Sequence, residues 1–135
     1  DQYPDGSRLL IDYKTGEATP DAWFKEPVRE PQLPLYACGI KPDGIAFAQV
    51  KKGNIAIKVA QKENMQTEGV SRNSFRNQFE CNDWPELLAH WRSSLQKLGE
   101  DFKEGKPALH PIDGEATCRY CSLKTLCRIE ELKYR

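Results

Sequence analysis

The chain has 135 residues, which suits a single domain with one hydrophobic core. Its 20 Lys and Arg residues balance 20 Asp and Glu residues, so overall charge gives no support for nucleic-acid binding, and any such role must rest on local basic patches. No apolar run approaches the length of a membrane span, and no signal-peptide pattern opens the chain. Three of the five cysteines lie close together. This indicates a metal site in a reducing compartment, so we expect a cytoplasmic protein.

The first predicted strand covers residues 8–13. It follows a strong turn signal, Pro-Asp-Gly-Ser at residues 4–7, and it is mostly apolar. The partner strand should precede the turn, where only residues 1–3 are present. We therefore expect the chain to be a fragment that begins near the end of a hairpin strand.

Asp12 and Lys14 are two residues apart at the end of this strand, so they point to the same face. A carboxylate can hold a divalent cation, and a neighbouring ammonium can steady a water or an oxyanion. Together they are the minimum apparatus for metal-assisted phosphodiester cleavage. The alternative is a surface ion pair, which is the commoner meaning of an isolated Asp-x-Lys.

Residues 17–31 predict a loop anchored by Trp23 and Phe24. A helix should follow over residues 32–38, with Gly39 past its end. Gln32 and Tyr36, four residues apart, share a face of that helix. A core position for Tyr36, with Gln32 merely solvated, remains the alternative.

Two β-rich runs, residues 44–50 and 54–60, predict a hairpin. In the second run Ile55, Ile57 and Val59 alternate with less apolar positions, which predicts a sheet with one covered face. Residues 61–80 are polar and predict a loop, or a weak helix in their second half.

A long helix should begin at Asp83, with Glu86 completing a capping box, and end at Gly105. Its apolar positions fall at helical spacing and predict a packing face: Trp84, Leu87, Leu88, Trp91, Leu95, Leu98 and Phe102.

The last motif is a C-x2-C-x5-C cluster formed by Cys118, Cys121 and Cys127. Zinc and iron–sulfur sites need about four protein ligands, and the fourth is not obvious. Cys81 and His110 are weak candidates, and Cys38 is better explained as a buried core thiol. Three free cysteines in a C-terminal tail are the alternative.

In this order the motifs resemble the RecB-type nucleases of the PD-(D/E)xK superfamily. The likeness is closest to the branch whose C-terminal cysteines hold a 4Fe–4S cluster, found in helicase–nuclease repair proteins of the AddB type and in CRISPR-associated exonucleases. It rests on Ile-Asp-Tyr-Lys-Thr-Gly at residues 11–16, on Pro-Gln-Leu-Pro-Leu-Tyr-Ala at residues 31–37, and on the cysteines.

The resemblance implies an α/β fold: a restriction-endonuclease-like mixed sheet flanked by helices. Residues 1–135 would be the C-terminal part of that domain, and residues 117–135 a cysteine-containing tail. The implied activity is that of a Mg²⁺- or Mn²⁺-dependent DNA exonuclease in repair or recombination, with a helicase domain or subunit as partner.

By the same resemblance, Asp12 and the backbone carbonyl of Tyr13 ligate the cation, and Lys14 positions the attacking water. Gln32 and Tyr36 orient the site or touch the DNA backbone. The family's other metal-binding Asp and its first cluster cysteine would lie outside this chain, so we expect the chain alone to be inactive.

Two other interpretations remain open. One is a degenerate family member that binds DNA or partner subunits without cutting. The other is a zinc-stabilised interaction module in which Asp12 and Lys14 are incidental. Because one cluster ligand is missing from this chain, we expect its three tail cysteines to be metal-free, or to hold a metal completed by solvent or another chain. The tail from about Thr117 should then rest mainly on Leu123, Leu126 and Ile129 packing as one helical face.

Overall fold

The computed structural model of the protein describes residues 1–62, 65, 71–72, 79, 81–106, 111 and 114–128. They belong to two compact units, residues 1–99 and residues 100–135. Within the described residues, no helix has the length and apolar character needed to cross a membrane. The elements are β1 (Leu9–Lys14), a 3₁₀ turn (Pro20–Phe24), α1 (Gln32–Ile40), β2 (Gly44–Lys51), β3 (Asn54–Gln61), β4 (Ser71–Arg72), α2 (Trp84–Lys103), α3 (Glu115–Cys118) and α4 (Lys124–Cys127).

The first unit is built on a four-stranded mixed sheet with the order β1-β2-β3-β4. β1 and β2 are parallel and are joined through α1, because parallel strands need a crossover connection. β2 and β3 form an antiparallel hairpin, and β3 pairs in parallel with β4. The predicted α/β class with a mixed sheet is confirmed, and so is the predicted hairpin.

The turn before β1 also forms as predicted. Gly6 has a φ of +85°, which suits glycine, and the Asp5 carboxylate accepts hydrogen bonds from the backbone N–H and the hydroxyl of Ser7. Gln2 pairs with Arg8 in antiparallel fashion across this turn. A short stretch of hairpin therefore leads into β1.

α1 is longer than the sequence predicted. It runs through Gly39 to Ile40 and ends at Lys41, which adopts a left-handed conformation with φ +51° and donates its N–H to the Ala37 carbonyl. Pro42 follows directly and cannot continue a helix. The predicted stop at Gly39 was wrong, because the left-handed residue that ends the helix is Lys41 and Pro42 follows it.

Two arginines bind the carbonyl end of α1. The Arg8 guanidinium donates to the carbonyls of Ile40 (3.1 Å) and Lys41 (3.0 Å), and the Arg92 guanidinium donates to that of Cys38. The last carbonyls of a helix lack intrahelical partners and carry partial negative charge, so cations there satisfy both needs. Arg8 precedes β1 and Arg92 lies on α2, so these bonds tie α1 to both elements.

The main hydrophobic core lies on one face of the sheet, between the strands and the helices of the first unit. Its largest buried side chains are Trp23, Phe24, Leu33, Ile45, Phe47, Trp84, Leu87 and Trp91. A smaller cluster on the opposite face contains Leu9, Ala46, Val59 and Met65.

The predicted covered face of β3 was wrong at its outer end. Val59 is fully buried, but Ile57 is 39% and Ile55 is 80% exposed. The main core instead contacts the other face of β3 at Ala60, whose register partner is the core residue Ile45. Alternation along one strand shows that two faces differ, but not which of them the helices cover.

α2 begins as predicted, since the Asp83 carboxylate accepts the backbone N–H of Glu86 (2.8 Å). The reverse bond is shifted by one residue, because the Glu86 carboxylate accepts the N–H of Asn82 (2.7 Å) rather than that of Asp83.

The apolar stripe of α2 is buried only in its first half. Trp84, Leu87 and Trp91 are buried, whereas Leu98 is 50% and Phe102 is 89% exposed. The predicted packing face was therefore wrong for its C-terminal part.

Residues 61–80 differ from the predicted loop or weak helix at one point, since Ser71–Arg72 form a short strand beside β3. The weak helix predicted as an alternative for the second half of this segment falls mostly at residues 73–78 and 80, which lie outside the described residues, as does His110.

The cysteine tail was predicted to pack one apolar helical face, and this was wrong. The described part of this region has two four-residue helices, α3 and α4, neither with a buried residue, and Leu123 and Leu126 are 58% and 79% exposed. α4 ends at Arg128, whose φ is +52°. Helices this short cannot present a continuous face. Ile129 lies outside the described residues.

Candidate active site

Asp12 and Lys14 project from β1 on the face that carries the main core. The Lys14 Nζ lies 3.0 Å from the Asp12 Oδ2. The Lys14 side chain is 27% exposed and the Asp12 side chain is 22% exposed. The alternation of a strand accounts for the pairing. The ion pair therefore sits partly sheltered at the end of the strand.

The floor of the site is aromatic. Phe47 on β2 is the register partner of Asp12, and its ring centroid lies 5.4 Å from the Lys14 Nζ. Phe47 is 1% exposed and packs on Trp23, with 4.3 Å between the ring centroids. The ammonium thus rests over a rigid apolar layer, a favourable place for a cation.

A second carboxylate, which was not predicted, faces Lys14. The Oε2 of Glu30, in the loop before α1, lies 3.5 Å from the Lys14 Nζ. Because both oxygens are close to the same nitrogen, the carboxylates of Asp12 and Glu30 lie near each other. The carboxylate of Asp12, and after it the charge of Glu30, raises the pKa of Lys14 against the opposing effect of burial. Lys14 is therefore an ammonium throughout the neutral pH range.

Asp12 carries an unsatisfied oxygen. Its Oδ2 is buried and accepts no hydrogen bond, since the contact with Lys14 is an ion pair without hydrogen-bond geometry. A buried carboxylate oxygen without such a partner fits a hard divalent cation such as Mg²⁺ or Mn²⁺. Among the described residues, no group of three or more His, Cys, Asp and Glu side chains is arranged to hold a metal ion.

Two further polar side chains lie on the same face of the sheet and were not predicted. Lys58, the register partner of Phe47, donates from its Nζ to the Ala18 carbonyl (2.7 Å) and so ties the loop after β1 across the sheet. Gln49, the register partner of Lys14, is 5% exposed. Only the strand register reveals these neighbours.

Gln32 and Tyr36 share the exposed side of α1, which starts two residues after Glu30. Tyr36 is 48% exposed, so it is not a core residue. The proposed roles of both side chains at the site remain predictions. So does the ligand role of the Tyr13 carbonyl; the Tyr13 side chain is 70% exposed.

The three tail cysteines are all free thiols. Cys121 is exposed, and its sulfur accepts the backbone N–H of Leu123 (3.4 Å), while Cys118 and Cys127 are half-buried. The part of the tail that the structure describes does not gather them into a metal-binding group. Their role as iron–sulfur ligands remains a prediction.

The two remaining cysteines lie in the first unit. Cys38 is half-buried and packs against the main core, and Cys81 is buried within it. Burial raises the pKa of both thiols, as it does for structural cysteines. The prediction of Cys38 as a core thiol agrees with its packing.

The sheet and the crossover helix define an α/β domain, and the Asp12–Lys14 pair gives it two of the groups that a phosphodiesterase site uses. The sequence model of the PD-(D/E)XK nuclease superfamily matches residues 1–128, and the chain belongs to that superfamily. Its members are typically nucleases that act on DNA and generally use Mg²⁺ or Mn²⁺. No curated protein and no solved structure matches the chain.

Proposed function

We propose that the full-length protein is a Mg²⁺- or Mn²⁺-dependent DNA exonuclease of the RecB-type branch. The observation that carries this proposal is the Asp12–Lys14 pair on β1, in which a buried Asp12 oxygen has no hydrogen-bond partner and the Lys14 ammonium lies over the Phe47 ring. Pairing of β1 with β2 along its whole length fixes the direction of both groups before a substrate arrives, which is what electrostatic catalysis requires.

In this proposal Asp12 and the Tyr13 carbonyl hold the cation. The cation supplies Lewis acidity toward the phosphate and lowers the pKa of a bound water. Lys14, kept protonated by its carboxylate neighbours, donates to the water or to the oxyanion that forms on the phosphate. Gln32 and Tyr36 contact the DNA backbone from the exposed side of α1. Hydrolysis breaks one P–O bond of the phosphodiester, which leaves a terminal 3′ or 5′ phosphate on one product and a hydroxyl at the new end of the other.

The test is substitution in the full-length protein. Asp12→Ala and Lys14→Ala should each lower the rate of DNA hydrolysis by about 10²-fold or more, because each removes a group that acts on the developing charge. Lys52→Ala, in the exposed hairpin turn, is the matched control and should keep the parental rate. Parental cutting by both site variants would show that the site lies elsewhere.

We further propose that Cys118, Cys121 and Cys127 hold a 4Fe–4S cluster in the full-length protein, with a fourth ligand from outside these 135 residues. Their C-x2-C-x5-C spacing supports this, as do their free thiols. Anaerobic purification should give a brown protein containing iron and sulfide. Zinc in their place would favour an interaction module instead, and the absence of any metal would remove the cluster from the proposal.

The cellular setting proposed is recombinational repair in the cytoplasm, with a helicase domain or subunit as partner. The support is the resemblance to helicase–nuclease proteins in the motifs of β1, α1 and the cysteine tail. Affinity purification of the tagged full-length protein should recover a helicase. Recovery of an active nuclease that has neither a helicase domain nor a helicase subunit would contradict the proposed partner.

A further inference from the structure

We propose that Glu30 is a positioning residue for Lys14, holding its ammonium in place together with Asp12. This inference rests on the proposed nuclease function and names a residue that the sequence motifs do not include. The Nζ of Lys14 lies 3.0 Å from the Asp12 Oδ2 and 3.5 Å from the Glu30 Oε2, above the Phe47 ring.

Lys14 needs a second partner because one oxygen of Asp12 would have to interact with both the Lys14 ammonium and the cation. A lysine ammonium sits on a flexible four-carbon stem, so a single contact restrains it poorly. The Asp12 oxygen that faces Lys14 is the same buried oxygen that is available to a cation. When that oxygen binds a cation, its hold on the ammonium weakens and the two positive charges repel. Glu30 then remains as the carboxylate that keeps Lys14 over Phe47.

The loop that carries Glu30 is fixed at several points. The Glu26 carboxylate accepts a hydrogen bond from the Ser94 hydroxyl on α2 (2.7 Å), and the Arg29 N–H donates to the Ala22 carbonyl (3.1 Å). Beyond Glu30, α1 packs on the sheet and starts one residue past Pro31. The position of Glu30 is therefore set by the backbone.

The same arrangement gives a physical link between α1 and the chemistry. Movement of the start of α1, where Gln32 is exposed, would shift the Glu30 backbone and thus the Lys14 ammonium. A DNA strand that contacts α1 would in this way shift the Lys14 ammonium through Glu30, without contacting Lys14 itself.

The test compares Glu30→Gln with Glu17→Gln. Glu17 is the matched control, because it also faces a lysine, Lys51, but at 4.0 Å and with 86% of its side chain exposed. The first readout is the ¹H–¹⁵N NMR signal of the Lys14 ammonium in the 135-residue chain, with and without Mg²⁺. The second is kcat and KM of the full-length protein on DNA.

Glu30→Gln should shift or broaden the Lys14 signal, most strongly with Mg²⁺ present, and should lower kcat roughly 10- to 100-fold at unchanged KM. Glu30→Asp, which keeps the charge on a shorter side chain, should restore part of both effects. Glu17→Gln should change neither. A Lys14 signal that is the same in Glu30→Gln and the parent would overturn the proposal, as would a change in KM alone.

The two proposals fail in different ways. A full-length protein that cuts no DNA overturns the nuclease function, and the NMR comparison then decides by itself whether Glu30 holds Lys14. An active full-length protein whose Glu30→Gln variant keeps the parental kcat overturns only the role of Glu30.

Discussion

The two units of the chain are stabilised by different kinds of contact. In residues 1–99 buried polar groups join distant parts of the sequence: the Trp91 indole N–H donates to the Trp23 carbonyl, 68 residues away, and the Trp84 indole N–H to that of Pro42, 42 residues away. In the tail, the bonds that form α3 and α4 join residues three or four apart, and neither helix has a buried residue.

This difference bears on how each motif could work. The Asp12–Lys14 pair is held by a packed core, so its geometry exists without any ligand. The tail has no such core in its described helices, and order there needs another source. Metal binding by cysteines supplies folding free energy in segments of this kind. The first unit therefore holds a preformed site, whereas the structure of the tail would depend on its ligand.

The largest effect is expected in the core of the first unit. Trp91→Ala should lower the free energy of unfolding by about 3–5 kcal/mol, because it empties a fully buried aromatic position and leaves the Trp23 carbonyl without its donor. Urea denaturation followed by tryptophan fluorescence and circular dichroism measures the change.

Phe102→Ala is the control for this prediction, since Phe102 lies on the same helix but is 89% exposed. It should change the free energy of unfolding by no more than about 0.5 kcal/mol. Equal losses in the two variants would mean that the C-terminal half of α2 is packed as well, and the contrast between the units would disappear.

A smaller, pH-dependent effect is expected at Asp43, just before β2. Its carboxylate accepts hydrogen bonds from the Lys62 Nζ (2.6 Å) and from the backbone N–H of Arg8 (2.9 Å). The bond from Lys62, followed by that from Arg8, holds the pKa of Asp43 below its ordinary value of 3.8. The carboxylate therefore stabilises the fold above pH 3.8, and this contribution is lost as the pH falls through the lower pKa of the folded state.

Asp43→Asn should accordingly destabilise the protein at pH 7 by roughly 1–3 kcal/mol, the usual value of a charge-assisted hydrogen bond. The difference from the parent should shrink as the pH falls below 3.8. Urea titrations across this pH range measure it, with Asp101→Asn, at an exposed carboxylate, as the control. A difference that persists unchanged in acid would mean that Asp43 acts through packing and not through its charge.

The parts of the fold that the sequence predicted are those with short-range patterns. The turn at residues 4–7, the shared strand face of Asp12 and Lys14 and the start of α2 at Asp83 each follow from neighbours within a few positions. The mixed sheet follows from a helix placed between two strands, one of which begins a hairpin.

The parts that escaped prediction depend on residues far apart in the sequence. Glu30 contacts Lys14 from the loop before α1, and the last carbonyls of α1 accept hydrogen bonds from Arg8 and Arg92. In α2 the spacing of apolar residues continues to Phe102, although the core ends earlier. Periodicity records which face could be buried, but not how far the partner surface reaches.

The smallest effect is expected in the tail, at Leu126 on α4. Burial stabilises a side chain roughly in proportion to the apolar area removed from water, and Leu126 is 79% exposed. Leu126→Ala should therefore change the stability of α4 by no more than about 0.5 kcal/mol in the metal-free chain. Leu87→Ala, at a fully buried leucine, should by contrast lower the free energy of unfolding by about 2–5 kcal/mol. The stability of α4 is measured by hydrogen exchange, which reports local opening, at the backbone N–H groups of Cys127 and Arg128, which donate to the carbonyls of Leu123 and Lys124. If Leu126→Ala speeds exchange at these amides more than about tenfold, which corresponds to 1.4 kcal/mol, the tail has an apolar core of its own and does not depend on the cysteines for order.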